Sequence, residues 1–247
     1  IDTKSIDPKY PVHEMIMDQW SNEDGLLSNN LTSITQSKNG FLWTTSHNGL
    51  QRFDGRYFKS FTKLNIPFLN SNSFYDVFEN SSDTLWLTTE GSGILYMSNG
   101  VISPYSGNDS IPKAIITMHF AGEDEIWIGS KNRGAYLGNH KGEISKISDI
   151  PEVTINYIKG DSKGNIWIAT DGNGLYKYAD GKIKHFNRAN GLVSDVINHI
   201  EVINDVIYLS TINGMNILKG EELLTIKQFD GLDINQTKVD GFGTIWV

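Results

Sequence analysis

A short apolar strand centred on an aromatic residue recurs along the chain at nearly constant spacing. The segments FLWTT, TLWLT, EIWIG, NIWIA and VIYLS each place one aromatic among aliphatic or threonine neighbours, and TIWV repeats the pattern near the end. Successive aromatics are 43, 41, 40, 41 and 38 residues apart. A period near 40 residues built on short strands is typical of the blades of a β-propeller. The aromatics are Trp43, Trp86, Trp127, Trp167, Tyr208 and Trp246.

Glycine turns divide each repeat into further strands. An alternating run precedes each aromatic, as in LTSIT and TINYI, and ends in a polar turn such as SKNG or DSKG. A polar-Gly-apolar triplet follows the aromatic, and a second glycine follows the triplet, both in contexts that favour tight hairpins. Each unit is therefore predicted to hold four antiparallel strands, a to d, with the aromatic on strand b. The aromatics of the five complete units are expected to be largely buried.

We expect an all-β protein and a single propeller domain fragment over 1–247. The expected complete blades span about 31–61, 73–105, 114–147, 153–186 and 196–226, and a partial blade spans 235–247. The segment EMIMDQW, followed by GLLSN, matches the end of a blade, since GLVSD and GLDIN stand at comparable junctions. Residues of about 12–21 are therefore predicted to form the outer strand of the closing blade. Strand c of the sixth unit is absent, so the chain is predicted to be a fragment of a longer propeller.

Composition and charge exclude several classes of function. The chain has 21 basic and 29 acidic residues, a net charge of −8, which argues against a nucleic acid or an anionic membrane as its partner. With no cysteine it has no disulfide, no thiolate metal site and no thiol nucleophile. No stretch approaches the roughly 20 apolar residues of a membrane helix, and the N-terminus lacks the apolar core of a signal peptide.

Two units carry a resemblance to a known family. GLLSNNLTSITQSKNGFLWTTSHNGLQRFDGRYF (25–58) and DSKGNIWIATDGNGLYKY (161–178) closely resemble the two-component-regulator propeller repeat, and the other units match it more loosely. The resemblance implies the periplasmic sensor part of an inner-membrane signalling protein. It also implies a downstream β-sandwich, a membrane helix, and a histidine kinase or a GGDEF diguanylate cyclase in the same chain. A homodimer of the full-length protein is compatible with it. The ligand it implies is a glycan fragment or another small polar molecule.

The turns at 161–167 and 240–246 also resemble the Asp-box of sialidases, which raises the alternative of a glycosidase. The sequence shows no arginine triad and no paired Tyr and Glu of that class. We therefore expect each aspartate to cap its own turn. No nucleophile elbow or phosphate loop is present, and no catalytic residue or cofactor is predicted.

The histidines are not predicted to form a metal site. His119 and His199 fall on strands a, which line the central channel, but they lie two units apart and differ by about two alignment positions. His13, His47, His140 and His185 fall on edges and loops. Channel or surface histidines therefore fit the pattern better than zinc ligands.

Candidate ligand contacts lie at the tips of the b–c loops, where the units differ most chemically. Loops on one face of a repeated framework commonly carry a binding site. We therefore expect a non-catalytic sensor; the alternatives are a secreted lyase or glycosidase and a protein-binding scaffold. The candidate residues are His47, Asn48, Glu90, Lys131, Arg133, Asp171 and Asn173.

Overall fold

The computed structural model describes residues 18–122, 124–240 and 243–247, which fold into five four-stranded sheets and one two-stranded sheet. Blade 1 consists of β1 (Ser33–Gln36), β2 (Leu42–Ser46), β3 (Gly49–Phe53) and β4 (Phe58–Phe61). Blade 2 consists of β5 (Phe74–Glu79), β6 (Leu85–Thr89), β7 (Ile94–Ser98) and β8 (Val101–Pro104). Blade 3 consists of β9 (Ile115–Ala121), β10 (Glu125–Ser130), β11 (Ala135–Gly138) and β12 (Ile144–Lys146).

The second half of the chain continues the same order. Blade 4 consists of β13 (Ile155–Gly160), β14 (Ile166–Thr170), β15 (Leu175–Ala179) and β16 (Lys182–Phe186). Blade 5 consists of β17 (Ile197–Ile203), β18 (Val206–Thr211), β19 (Gly214–Lys219) and β20 (Glu222–Thr225). The sixth sheet pairs β21 (Lys238–Val239) with β22 (Ile245–Trp246), and short 3₁₀ helices span Asn22–Asp24, Ser106–Ser110, Arg188–Asn190 and Lys227–Phe229.

Within each complete blade the four strands are antiparallel neighbours in chain order, so strands a to d run from the centre outward. The aromatic of strand b faces the same level of strand a in every repeat: Trp43 lies opposite Thr35, Trp127 opposite His119, and Trp246 opposite Lys238. The predicted fold class, a propeller with five complete blades and a partial sixth, is confirmed.

The core lies between neighbouring blades rather than within them. Trp167 of blade 4, for example, packs with Ile200 and Leu209 of blade 5. Burying side chains of this size supplies the main stabilisation that holds one blade on the next. Trp43, Trp86, Trp127 and Trp167 are buried, as the repeat predicts.

Tyr208 departs from the predicted burial. It lies on β18, opposite Glu201, but is only half-buried. Trp246, the last aromatic of the repeat, is 42% exposed. The sheet that follows blade 5 has only two strands among the described residues. It therefore covers less of the face of blade 5 than a four-stranded blade would.

The Asp-box turns are built as caps. Asp161 Oδ1 accepts the backbone N–H groups of Lys163 and Asn165, while Oδ2 accepts the indole N–H of Trp167 at 2.9 Å. Gly164 follows with φ +80°, a conformation that side chains rarely adopt. The aspartate thus ties the a–b turn to the buried aromatic of its own blade.

The segment predicted as an outer strand at about 12–21 lies mostly outside the described residues. Its described end, 18–21, is not in a strand. Trp20 instead packs its ring edge-on against Phe53 of β3, with centroids 5.1 Å apart. This segment therefore covers the outer part of blade 1.

A β-bulge near the start of strand a brings one extra residue to the end of the channel where the b–c loops lie. The extra residues of blades 2 to 5 are Tyr75, Ile116, Asn156 and Asn198. Asn156 Nδ2 donates to the Ile197 carbonyl of the next blade at 3.0 Å, and Asn198 Nδ2 donates to that of Ile234 at 2.9 Å. These bonds join neighbouring blades around the channel.

Candidate ligand site at the mouth of the channel

A cavity of about 1830 Å³ runs along the centre of the molecule between the inner strands. Its wall carries polar side chains at one repeated register level, two residues beyond the level of the strand b aromatic. Because the inner strands present these groups to one another, the wall can hydrogen-bond a polar guest. The residues at this level in blades 1 to 5 are Ser33, Asp76, Thr117, Tyr157 and His199.

Acidic and basic side chains also stand on the inner strands. Glu201 lies between two lysines, with Oε1 3.9 Å from Lys159 Nζ and Oε2 3.5 Å from Lys238 Nζ. Asp76 Oδ1 accepts the Ser33 hydroxyl at 2.6 Å. Burial raises the pKa of the Asp76 carboxyl, against the opposing effect of the Ser33 hydrogen bond.

Both channel histidines are neutral at pH 7. Burial, followed by the charge of Lys159, lowers the pKa of His119 to about 4, and its Nε2 accepts the Gly160 N–H at 3.0 Å. Burial, followed by Lys238 and Lys159, lowers the pKa of His199 to about 3.

The register confirms that the two histidines occupy different positions of the repeat. His119 faces Trp127, whereas His199 faces Ser210, two residues beyond the aromatic of its strand. Among the described residues no three His, Cys, Asp or Glu side chains lie together in an arrangement that could hold a metal ion.

At the b–c end of the channel, five side chains from blades 1, 2 and 3 form one connected group, which we call the mouth cluster: His47, Ser73, Tyr75, Glu90 and Lys131. Lys131 Nζ lies 3.1 Å from Glu90 Oε1 and 3.4 Å from the Tyr75 hydroxyl. His47 Nδ1 lies 2.7 Å from Ser73 Oγ, and the His47 ring lies edge-on to the Tyr75 ring at 5.9 Å. The cluster therefore spans two blade junctions.

The mouth cluster stands where the repeated bond between blades is interrupted. In blade 1, Thr32 Oγ1 donates to the Phe74 carbonyl of the next blade at 2.9 Å, as the bulge asparagines of blades 4 and 5 do to theirs. In blade 2 the bulge residue is Tyr75, which directs its hydroxyl to Lys131 instead. Blade 3 also lacks the bond, since its bulge residue is Ile116. Both blades that lack it contribute to the mouth cluster, and departures from a repeated contact are expected where a framework carries a site.

The ion pair of the cluster is accessible and charged. The side chains of Lys131 and Glu90 are 46% and 43% exposed. The hydrogen bond between them is the main cause that raises the pKa of Lys131 and lowers that of Glu90. The cluster therefore offers an ammonium, a carboxylate, a phenol and the His47 ring to the solvent at the channel mouth.

Two of the other predicted contacts are engaged in hydrogen bonds within the protein. Asn48 Nδ2 donates to the Leu27 carbonyl at 3.0 Å. Asn173 Oδ1 accepts the Tyr176 hydroxyl at 2.5 Å. Both amides therefore fasten loops.

The remaining two predicted contacts lie apart from the cluster. Arg133 pairs with Glu152 at 3.3 Å, on the loop that leads to blade 4. Asp171 is exposed, and its N–H donates to the Thr154 carbonyl at 2.9 Å. The structure thus brings together His47, Glu90 and Lys131 from the predicted set.

Sequence reasoning missed Tyr75 and Ser73. Both lie at the start of a strand a, whereas the predicted contacts lie at the tips of the b–c loops. The bulge position was the available indication, since Asn156 and Asn198 share it with Tyr75. Recognising it requires the pairing register, which the period of the aromatics does not give.

A family model for the two component regulator propeller matches residues 149–172, from the approach to blade 4 through its first two strands. The resemblance seen in the sequence is therefore confirmed over these residues. No curated protein matches the sequence significantly.

Solved structures share the fold at low sequence identity. One is the extracellular domain of BT4673 from B. thetaiotaomicron, described as a hybrid two component system, with a TM-score of 0.71, 21% identity, and coverage of 87% of this chain and 32% of that one. Another is the extracellular domain of BT3049 from the same organism, described likewise, with a TM-score of 0.63, 21% identity, and coverage of 93% and 40%. The chain spans about a third of the length of the first structure and two fifths of the second.

A catalytic protein also shares the fold. An ancestral GH74 enzyme has a TM-score of 0.63 and 12% identity, over 86% of this chain and 33% of that one. Since one fold hosts many activities, this likeness concerns architecture alone. No helix among the described residues is long and apolar enough to cross a membrane.

Proposed function

We propose that this propeller is a non-catalytic ligand-sensing module of a membrane-anchored bacterial signal-transduction protein, located in the periplasm. The repeat family matched at 149–172 and the extracellular domains that share the fold support this assignment. The output domain is a two-component histidine kinase or a diguanylate cyclase, reached through a β-sandwich and a membrane helix of the same chain.

The observation that carries the proposal is the mouth cluster. Its Glu90–Lys131 pair is half-exposed, joins blades 2 and 3, and stands beside the opening of a polar cavity. A ligand hydroxyl can donate to the carboxylate and accept from the ammonium, and charge-assisted bonds of this kind are among the stronger polar contacts. The ligand is a glycan fragment or another small polar molecule.

Binding at this place suits a sensor. The cluster takes His47 from blade 1, Tyr75 and Glu90 from blade 2, and Lys131 from blade 3. A ligand that contacts all three blades favours one relative arrangement of them, and differential affinity for two arrangements is what a signal requires. Catalysis would instead require a positioned acid, base or nucleophile directed at a substrate.

The test begins with a screen of short neutral and acidic oligosaccharides against the purified domain. Compounds that raise the melting temperature are then titrated by calorimetry, and each mixture is analysed by chromatography after long incubation. The proposal expects saturable binding with the oligosaccharide recovered intact. Release of a shortened or unsaturated product would overturn it in favour of a propeller hydrolase or lyase, and failure of every compound to bind would overturn the glycan assignment.

A further inference from the structure

The indole N–H of Trp86 is the exception in a repeated pattern. Trp43 donates its N–H to Ser37 Oγ at 3.2 Å, Trp127 to Glu125 Oε1, and Trp167 to Asp161 Oδ2. Trp86 is 5% exposed, and its N–H has no acceptor among the described residues. An unpaired buried donor costs roughly 1–3 kcal/mol, so its presence calls for a physical cause.

The cause is one residue of the a–b turn. Asn80 stands six residues before Trp86, as Asp161 stands before Trp167. Asn80 Oδ1 accepts the N–H groups of Ser82 and Thr84, as the first carboxylate oxygen of Asp161 does in its own turn. The second oxygen of an aspartate is an NH₂ group in asparagine, which cannot accept a hydrogen bond. Blade 2 therefore keeps the turn and loses the acceptor.

An aromatic extension of the central cavity lies at the same place, on the face of the a–b turns between blades 2 and 3. Trp86 and Phe120 are 5.2 Å apart, Phe78 and Phe120 are 5.8 Å apart, and the exposed His140 ring stacks on Phe120 at 5.5 Å. Tyr96 also lines it. We call this space the aromatic cleft. Rings arranged edge-on in this way accept another flat ring.

Ion pairs join the a–b turns of blades 1 and 2 and those of blades 4 and 5. Asp83 pairs with Lys38 of blade 1, and Asp205 lies 3.5 Å from Lys163 of blade 4. The equivalent carboxylate of blade 3, Asp124, accepts the His140 N–H of its own blade instead. Among the described residues, no side-chain bond between these two turns closes the entrance of the cleft, where His140 is the outermost ring.

From these observations we infer that the aromatic cleft is a second binding site, for a small aromatic molecule that carries an oxygen acceptor. The ring of the guest packs against Phe78 and Phe120 after His140 turns outward, and its oxygen accepts the Trp86 N–H. The side chains of Trp86, Phe78 and Phe120 carry no charge, which favours an uncharged acceptor such as an amide carbonyl. This site lies at the opposite end of the channel from the mouth cluster, and it does not depend on the proposed function.

The test follows the six indole N–H resonances of the protein labelled with ¹⁵N-tryptophan, with Trp86 identified from Trp86→Phe. Benzamide is the probe, and toluene is the matched probe that has the ring but no acceptor. Benzamide is expected to move the Trp86 resonance downfield to saturation, and to bind roughly fivefold more tightly than toluene, as one neutral hydrogen bond allows.

Asn80→Asp supplies the matched variant, because it gives Trp86 the internal acceptor that Trp167 has. In this variant, and in Trp86→Phe, the preference for benzamide over toluene should disappear while toluene still binds. The inference is overturned if benzamide leaves the Trp86 resonance in place, or if its preference persists in both variants.

Discussion

Trp167 donates its indole N–H to Oδ2 of Asp161 at 2.9 Å, which couples the a–b turn of blade 4 to the core between blades. Trp246 and Asp240 repeat this relationship at 2.9 Å. The same position in blade 2 holds Asn80, and the indole N–H of Trp86 has no acceptor in the described part of the chain. The contrast predicts that exchanging Asn and Asp at these two positions changes the stability of the protein in opposite directions.

Asn80→Asp should raise the free energy of unfolding by about 1 kcal/mol, because it supplies an acceptor for a buried donor. Asp161→Asn is the matched control and should lower it by a similar amount, since it leaves Trp167 as Trp86 now is. Urea denaturation of the two variants measures both values. The explanation is wrong if Asn80→Asp destabilises the protein or if Asp161→Asn leaves it unchanged.

The strand b aromatics should contribute to stability in the order of their burial. Trp127 is fully buried, and Trp127→Ala should cost about 3–5 kcal/mol through lost packing and the cavity left behind. Trp246→Ala should cost far less because Trp246 is 42% exposed. Tyr208→Ala should fall between them. Equal losses for Trp127→Ala and Trp246→Ala in urea denaturation would contradict the described burial.

The bulge asparagines should stabilise the junctions between blades. Asn156→Ala removes the donor to the Ile197 carbonyl and should lower the free energy of unfolding by about 1–2 kcal/mol. Ser81→Ala is a suitable control because Ser81 is an exposed turn residue. Thermal melting of both variants checks this, and equal melting temperatures would mean that the amide bond adds nothing.

Stability should fall as the pH is lowered from 6.5 towards 4. The folded pKa of His119, about 4, lies below its unfolded value of 6.5. In that interval the unfolded chain binds more protons, so acid favours unfolding. The glutamine of His119→Gln can still accept the Gly160 N–H but does not titrate. The variant should therefore show a smaller slope of the free energy of unfolding against pH, by an amount that corresponds to at most about one bound proton. Urea denaturation at several pH values measures the slope; an unchanged slope would exclude His119 as a contributor.

The repeat predicted the architecture because four of the five complete blades bury their strand b aromatic in the same way. Trp43, Trp86, Trp127 and Trp167 follow that rule. Tyr208 departs from it for a reason outside its own sequence, namely the narrow sheet that covers it. The period and the composition predict the features that all units share. They predict less well the burial of a residue that depends on the neighbouring blade.

The candidate site was predicted only in part for the same reason. Glu90 and Lys131 were recognisable as charged loop residues, but their pairing across two blades depends on loop geometry. Arg133 looked equivalent to Lys131 in sequence, and it turns to Glu152 on the far side of its loop. Tyr75 was hidden because the bulge that aims it at the mouth inserts one residue without changing the spacing of the aromatics.

The central claim is that a polar ligand binds at the mouth cluster, and a comparison of Lys131→Gln with Arg133→Gln tests it most directly. Both variants remove an exposed positive charge from the same loop, so both should melt like the parent protein. For any oligosaccharide that binds the parent domain, calorimetry should show an affinity lowered by about tenfold or more in Lys131→Gln, since a charged hydrogen bond is lost, and an unchanged affinity in Arg133→Gln. Equal affinities in the parent and Lys131→Gln, or a loss confined to Arg133→Gln, would contradict the assignment of the mouth cluster as the ligand site.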